Sequence, residues 1–149
     1  MDRNTYAELM QFKRKFPGSV TWFRLKKHCA IIDKHLNPNE HLIFCFAGQL
    51  DDIATSIFNT GVIAITNERI MIAQKRLIIG YRFSSITPDL YNDMQVYSGI
   101  IWGRVCIDTV KEKINVSNLS KASLPEIETM VTSNMQEAKK KYKKGGEDE

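Results

Sequence analysis

The hydrophobic period of this chain changes at Asn37-Pro38-Asn39. Before that tripeptide the apolar residues recur at helical spacing. After it they recur in short runs separated by turn chemistry. In "SVTWFRLKKHCAIIDKHL" the residues Trp22, Leu25, Cys29, Ile32 and Leu36 stand three, four, three and four apart, one stripe along a helix. Pro38 cannot continue that helix and restricts the residue before it. Ser19 follows Pro17-Gly18 and is placed to cap the helix, with the Pro-Gly pair separating it from a shorter helix over residues 5–15.

Beyond residue 40 the pattern predicts strands over 41–49, 60–66, 69–75, 79–86, 93–98, 101–109 and 112–117. Alternation is plainest near the end, where Val105, Ile107 and Thr109 oppose Arg104, Cys106 and Asp108. Short antiparallel strands at such spacing favour a sandwich or small barrel over a parallel sheet. The stretch "LDDIATSIFNTG" reads as a loop. "SLPEIETMVTSNMQEAKKKYKK" then closes the unit as a helix, with Leu124, Ile127, Val131, Met135 and Ala138 as its buried stripe. Ser123 and Glu126 have the spacing of a capping box, and Pro125 falls in the first turn. Gly145-Gly146 marks the expected stop, leaving an acidic tail over 144–149.

Four segments in order, "HLNPNEHLIFCFAG", "TGVIAITNERIMIA", "GIIWGRVCI" and "EKINVSNL", followed by a helix, resemble the bacterial pleckstrin-homology-like domains of the YokE-like type. The resemblance covers roughly residues 36–140. It implies a mainly β, α+β fold: a PH-like antiparallel barrel or sandwich of seven strands, one end closed by the C-terminal helix. The helical residues 1–36 form an extension outside it, with the PH-like unit over 37–143. The resemblance implies no catalytic residue, cofactor or defined ligand.

Charge decides which partners fit. Residues 1–36 hold eight Lys/Arg against three Asp/Glu, whereas the net charge of the whole chain is only +4. The basic excess therefore belongs to the helical extension and not to the domain as a whole. "FKRKF" and "FRLKKH" mix aromatics with cations in a way that suits anionic lipid or phosphate. Their apolar stripe instead fits packing on protein, either this chain's own barrel or a second copy. Residues 51 and 52 are both Asp in the loop where phosphoinositide-binding PH domains carry basic residues, which argues against phosphoinositide there. Nucleic acid is disfavoured on the same balance of charge.

Chemistry-bearing motifs are absent from the sequence. His28 and His35 stand two turns apart, not at the i,i+4 spacing of a helical zinc pair, and no phosphate-binding glycine loop or nucleophile elbow occurs. The three cysteines lack CxxC spacing, which fits reduced thiols in a cytoplasm. There is no run of 18 apolar residues and no signal-like N-terminus. The expectation is a non-catalytic cytoplasmic module that needs no metal or cofactor and mediates protein–protein interaction or homo-oligomerisation. The alternative is peripheral attachment to an anionic membrane through the N-terminal helices. Trp22, Leu25, Lys26 and Lys27, together with Lys75, Arg76 and Arg82, make up the candidate interaction surface. Arg69, behind the turn Asn67-Glu68, reads as a pin for a hairpin in which Asn67 takes the left-handed conformation.

Overall fold

The computed structural model describes residues 4–17, 24–50, 59–76 and 78–147, the last four of these by backbone alone. Helix α1 spans Thr5–Lys15 and is capped by Asn4, whose side chain accepts the Ala7 N–H at 2.8 Å. Helix α2 spans Leu25–His35. It does not run from Ser19 as the stripe suggests, because Arg24 takes a left-handed backbone (φ 59°) that no helix interior accepts. Ser19 and Trp22 lie outside the described residues.

Seven strands follow: β1 Leu42–Leu50, β2 Thr60–Thr66, β3 Ile70–Lys75, β4 Tyr81–Ile86, β5 Tyr91–Ser98, β6 Gly103–Thr109 and β7 Lys113–Leu119. They form one antiparallel sheet in the order β4-β3-β2-β1-β7-β6-β5. The pairing of β1 with β7 covers only Gln49 and Leu50, against Ser117 and Val116, so β1 is the corner where the sheet turns on itself. Gly48 stands at that corner, opposite Gly61. A Cβ on Gly48 would lie 2.6 Å from Val116 Cγ1 and 2.8 Å from the Ser117 carbonyl, and the second of these is backbone that cannot swing away. Gly48→Ala should therefore cost about 1–3 kcal/mol, read as a lower urea midpoint at unchanged slope.

The period-2 alternation has two buried faces, which is why β2 reads as a nearly continuous apolar run and is buried throughout. One face of β1–β3, with Phe46, Leu50, Ile63, Ile65, Ile70 and Ile72, points into the barrel. Helix α3, Leu124–Glu147, fills that interior with Ile127, Val131 and Met135. The opposite face carries smaller side chains, Cys45, Ala47, Val62, Ala64 and Ala73, and α1 and α2 lie on it through Leu9, Leu25, Cys29 and Ile32. Small residues on that outer face let the helices approach the sheet closely. Leu25, Cys29, Ile32 and Leu36 of the apolar stripe are thus packed on this chain's own barrel. The backbone N–H and hydroxyl of Thr5 both donate to Asp33, joining the start of α1 to α2, while Lys15 pairs with Glu126 and joins its end to α3.

Two expected helix signals act differently. The Ser123 hydroxyl donates to the Ser120 carbonyl across a 3-10 turn, Lys121–Ser123, instead of capping α3. Helix α3 continues through Gly145-Gly146 to Glu147, where the sequence places its stop and the start of a tail. No helix among the described residues is long and apolar enough to cross a membrane.

Candidate functional site

The two basic clusters of the sequence, separated by some fifty positions, meet in space. Lys75 at the end of β3 donates its backbone N–H to His28 Nδ1 at 2.7 Å, and Arg24 Nη1 reaches the Arg76 carbonyl at 3.3 Å. His28 is 1% exposed, so this histidine is a structural acceptor for a strand end and not a metal ligand. These bonds hold the N-terminal half of α2 against the β3–β4 hairpin. Between them lies a cavity of about 290 Å³ lined by Lys27, Ala30, Ile31, Lys34, His35, Lys75 and Tyr81. A second groove of about 410 Å³, between α1 and α2, carries Lys13, Arg24, Lys26 and Lys27 over Tyr6, Met10 and Leu25. Neither lining contains a carboxylate.

The hairpin itself projects. Arg76 N–H donates to the Gly80 carbonyl at 3.1 Å, and Gly80 takes φ 78°, which suits glycine and lets the chain reverse. Ile78 and Ile79 at its tip are 89% and 82% exposed, and Tyr81 is half exposed beside them. Sequence alternation takes residues 79–86 as strand and so hides Ile79 in a sheet. The strand begins only at Tyr81 because the turn occupies the preceding residues. Of the expected surface, Lys26, Lys27 and Arg76 are exposed, and Lys75 and Arg82 half-buried. Leu25, at 8% exposure, is core and drops out. Ile78, Ile79 and Lys34 join them. An Ile-Ile pair directly before glycine, inside a run bracketed by Lys and Arg, was the available signal.

Arg69 is fully engaged inside the molecule. Its Nε and Nη2 bind Glu40 Oε2 and Oε1 at 2.9 and 3.0 Å, while Nη2 also donates to the His35 carbonyl at 2.7 Å and Nη1 to Ser85 Oγ at 3.1 Å. The Glu40 side chain is 0% exposed. Burial pushes its carboxyl up. Hydrogen bonds from Arg69, Thr66 and the Asn37 N–H outweigh that and hold it below the ordinary glutamate value. Asn67 does not adopt a left-handed backbone: among the described residues only Arg24 and Asn118 do so without being glycine. It works through its side chain, accepting the His41 N–H at 2.7 Å and donating to the Asn39 carbonyl at 3.3 Å. Two turns, 37–41 and 66–69, are thereby sewn around one ion pair. A groove of about 500 Å³ lies beside them, closed on its far side by Ala138, Lys141 and Tyr142 of α3.

The remaining chemistry is muted. Burial, followed by the charge of Asp33, pushes the Cys29 thiol up to about 12, and burial pushes Cys45 well above its ordinary value, so neither supplies a thiolate nucleophile. Among the described residues no group of three His, Cys, Asp or Glu could hold a metal ion. Asp51 and Asp52 lie outside the described residues. A second apolar tip sits on the β5–β6 turn, with Ile100 96%, Ile101 67% and Trp102 37% exposed. The sequence places Ile101 and Trp102 in a strand that starts only at Gly103.

No curated protein matches the chain. Among solved structures it is similar to the pleckstrin homology domain from Shewanella amazonensis SB2B, with 14% identity, a TM-score of 0.46, and coverage of 85% of this chain and 98% of that one. The family model described as "Bacterial PH domain" matches residues 36–133, from the Asn-Pro-Asn break into α3. The chain belongs to the bacterial PH domain family, carrying two helices ahead of the matched region.

Proposed function

We propose that the chain is a non-catalytic binding module that attaches peripherally to an anionic membrane surface through the β3–β4 hairpin and the flank of α2. One observation carries this reading: the exposed pair Ile78-Ile79 stands at the tip of a hairpin that itself carries Lys75, Arg76 and Arg82, with Lys27 and Lys34 of α2 beside it and Lys26 on the same helix. Apolar residues at a tip enter the acyl boundary, while a basic collar meets the headgroups at about 1 kcal/mol per cation near the surface. Asp51 and Asp52, which argue against phosphoinositide by their charge, lie outside the described residues and take no part in this reading. Within its family the chain reads as the YokE-like type, on the order of its four segments.

Ile78→Ser/Ile79→Ser removes the wedge without touching the core, so melting should stay unchanged. Sedimentation with phosphatidylglycerol vesicles should weaken at least about tenfold, a loss of about 1.4 kcal/mol. Binding should also fall as salt rises, because the collar is screened. Equal sedimentation with neutral and anionic vesicles, or none at either, would remove the reading.

Protein binding, including self-association, is a second reading supported by a different element. Trp102 with Ile100, Ile101 and Tyr97 is the aromatic-aliphatic composition that anchors protein interfaces. The groove beside α3 is a further place for a partner helix.

A further inference from the structure

The cavity between α2 and the β3–β4 hairpin has a construction that general electrostatic attraction does not require. Lys27 and Lys34 stand seven residues apart on α2 and so share a face, and Lys75 comes from the end of β3. All three line one space of about 290 Å³ whose remaining lining is Ala30, Ile31, His35 and Tyr81. His35 is held in place: its Nδ1 lies 2.7 Å from the Ile31 carbonyl, and its ring stacks on Phe83 with centroids 3.8 Å apart and planes 13° from parallel. With Nδ1 committed to that carbonyl as donor, Nε2 is the nitrogen left for other contacts. The hairpin side is fixed by the Lys75 N–H to His28 bond.

Three lysines from two elements line this one space, with no carboxylate in the lining, a balance of charge that favours an anion of more than one charge. A phosphomonoester approaches two negative charges near neutral pH and offers three acceptor oxygens, whereas a phosphodiester carries one charge. Ile31, Ala30 and Tyr81 give the space an apolar wall beside the lysines. We infer that this cavity receives the terminal phosphate of a phosphomonoester, either on a lipid headgroup or free. The inference deepens the membrane reading and rests on it for the lipid source. The site depends on α2, which lies ahead of the matched family region.

The test uses the full chain, with vesicles of phosphatidic acid and of phosphatidylglycerol matched in surface charge, and inorganic pyrophosphate titrated separately. Phosphatidic acid should be preferred about tenfold or more. Lys34→Gln and Lys75→Gln should each abolish that preference, at unchanged melting temperature, and lower phosphatidylglycerol binding only in proportion to the lost charge. Lys26→Gln, outside this cavity, should weaken both vesicles equally and keep the preference. Pyrophosphate binding that vanishes in Lys34→Gln, without any vesicle preference, supports a free phosphate as the occupant. Equal binding of the two lipids together with no pyrophosphate binding overturns the site while leaving membrane attachment standing. Absence of binding to any vesicle, with pyrophosphate still bound through Lys34, removes the membrane reading and keeps the phosphate site.

Discussion

Replacing Arg69 by Ala should cost about 3–5 kcal/mol at neutral pH, the usual penalty for leaving one member of a buried ion pair alone. Glu40 would keep a carboxylate with no access to water and no bidentate partner, and the His35 carbonyl and Ser85 hydroxyl would each lose a donor. The effect has a pH signature. In the native protein the Glu40 carboxyl is held low, so its contribution is present above the unfolded glutamate value and is lost as pH falls through the depressed folded value. In Arg69→Ala the strongest lowering hydrogen bond and the guanidinium charge are gone, those from Thr66 and the Asn37 N–H remain, and burial, the largest influence, pushes the carboxyl up. The sign then reverses: stability should be greatest where Glu40 is protonated and should fall as pH rises. The gap between Arg69→Ala and native protein in urea melts should therefore narrow between neutral pH and about pH 4.5. A gap that is constant across that range would show that Glu40 is not the group left stranded. Arg69→Lys should recover only part of the loss, since an ammonium cannot span both carboxylate oxygens.

How much of this was legible in the residues depends on distance along the chain. Period and turn chemistry are local, so strands β1 to β7 fall within about three residues of their expected bounds, and α1 falls on them. Two of the shifts, at the starts of β4 and β6, share a cause. Ile79 and Ile101-Trp102 look like strand because burial is the usual fate of such residues, yet both groups lie in turns and project into solvent. An apolar residue kept outside breaks the rule on which periodicity relies, and such breaks concentrate where a surface is used. Contacts between distant segments were not legible. Nothing in "NPNEH" says that Glu40 is buried beneath a turn nearly thirty residues later, or that Lys34 and Lys75 share a cavity. Arg69 was readable as a hairpin pin because its hairpin is local. Its role in joining α2 to the sheet, through the His35 carbonyl, was not.

Removing residues 1–36 should do more than any point substitution. In a PH-like barrel standing by itself the outer face of β1–β3 would meet water and carry polar side chains at alternate positions. Here that face presents Leu42, Cys45, Ala47, Val62, Ala64, Met71 and Ala73, all buried under α1 and α2. Such a patch, bared over three neighbouring strands, is an association surface in any aqueous setting. The remaining chain, 37–149, should therefore self-associate or lose its cooperative melt, measured by light scattering after size exclusion and by thermal denaturation. Ile32→Ala and Leu9→Ala in the full chain provide a graded version, since both side chains are fully buried and each truncation should cost about 2–5 kcal/mol. A truncated chain that stays monomeric and melts like the parent would mean the helices are dispensable cover. If it fails as expected, α1 and α2 are part of the folding unit, and the basic surface they share with the β3–β4 hairpin is a rigid feature of one domain. That rigidity is what a preorganised site needs, because lysines held on packed elements surrender less freedom on binding than lysines on a free helix.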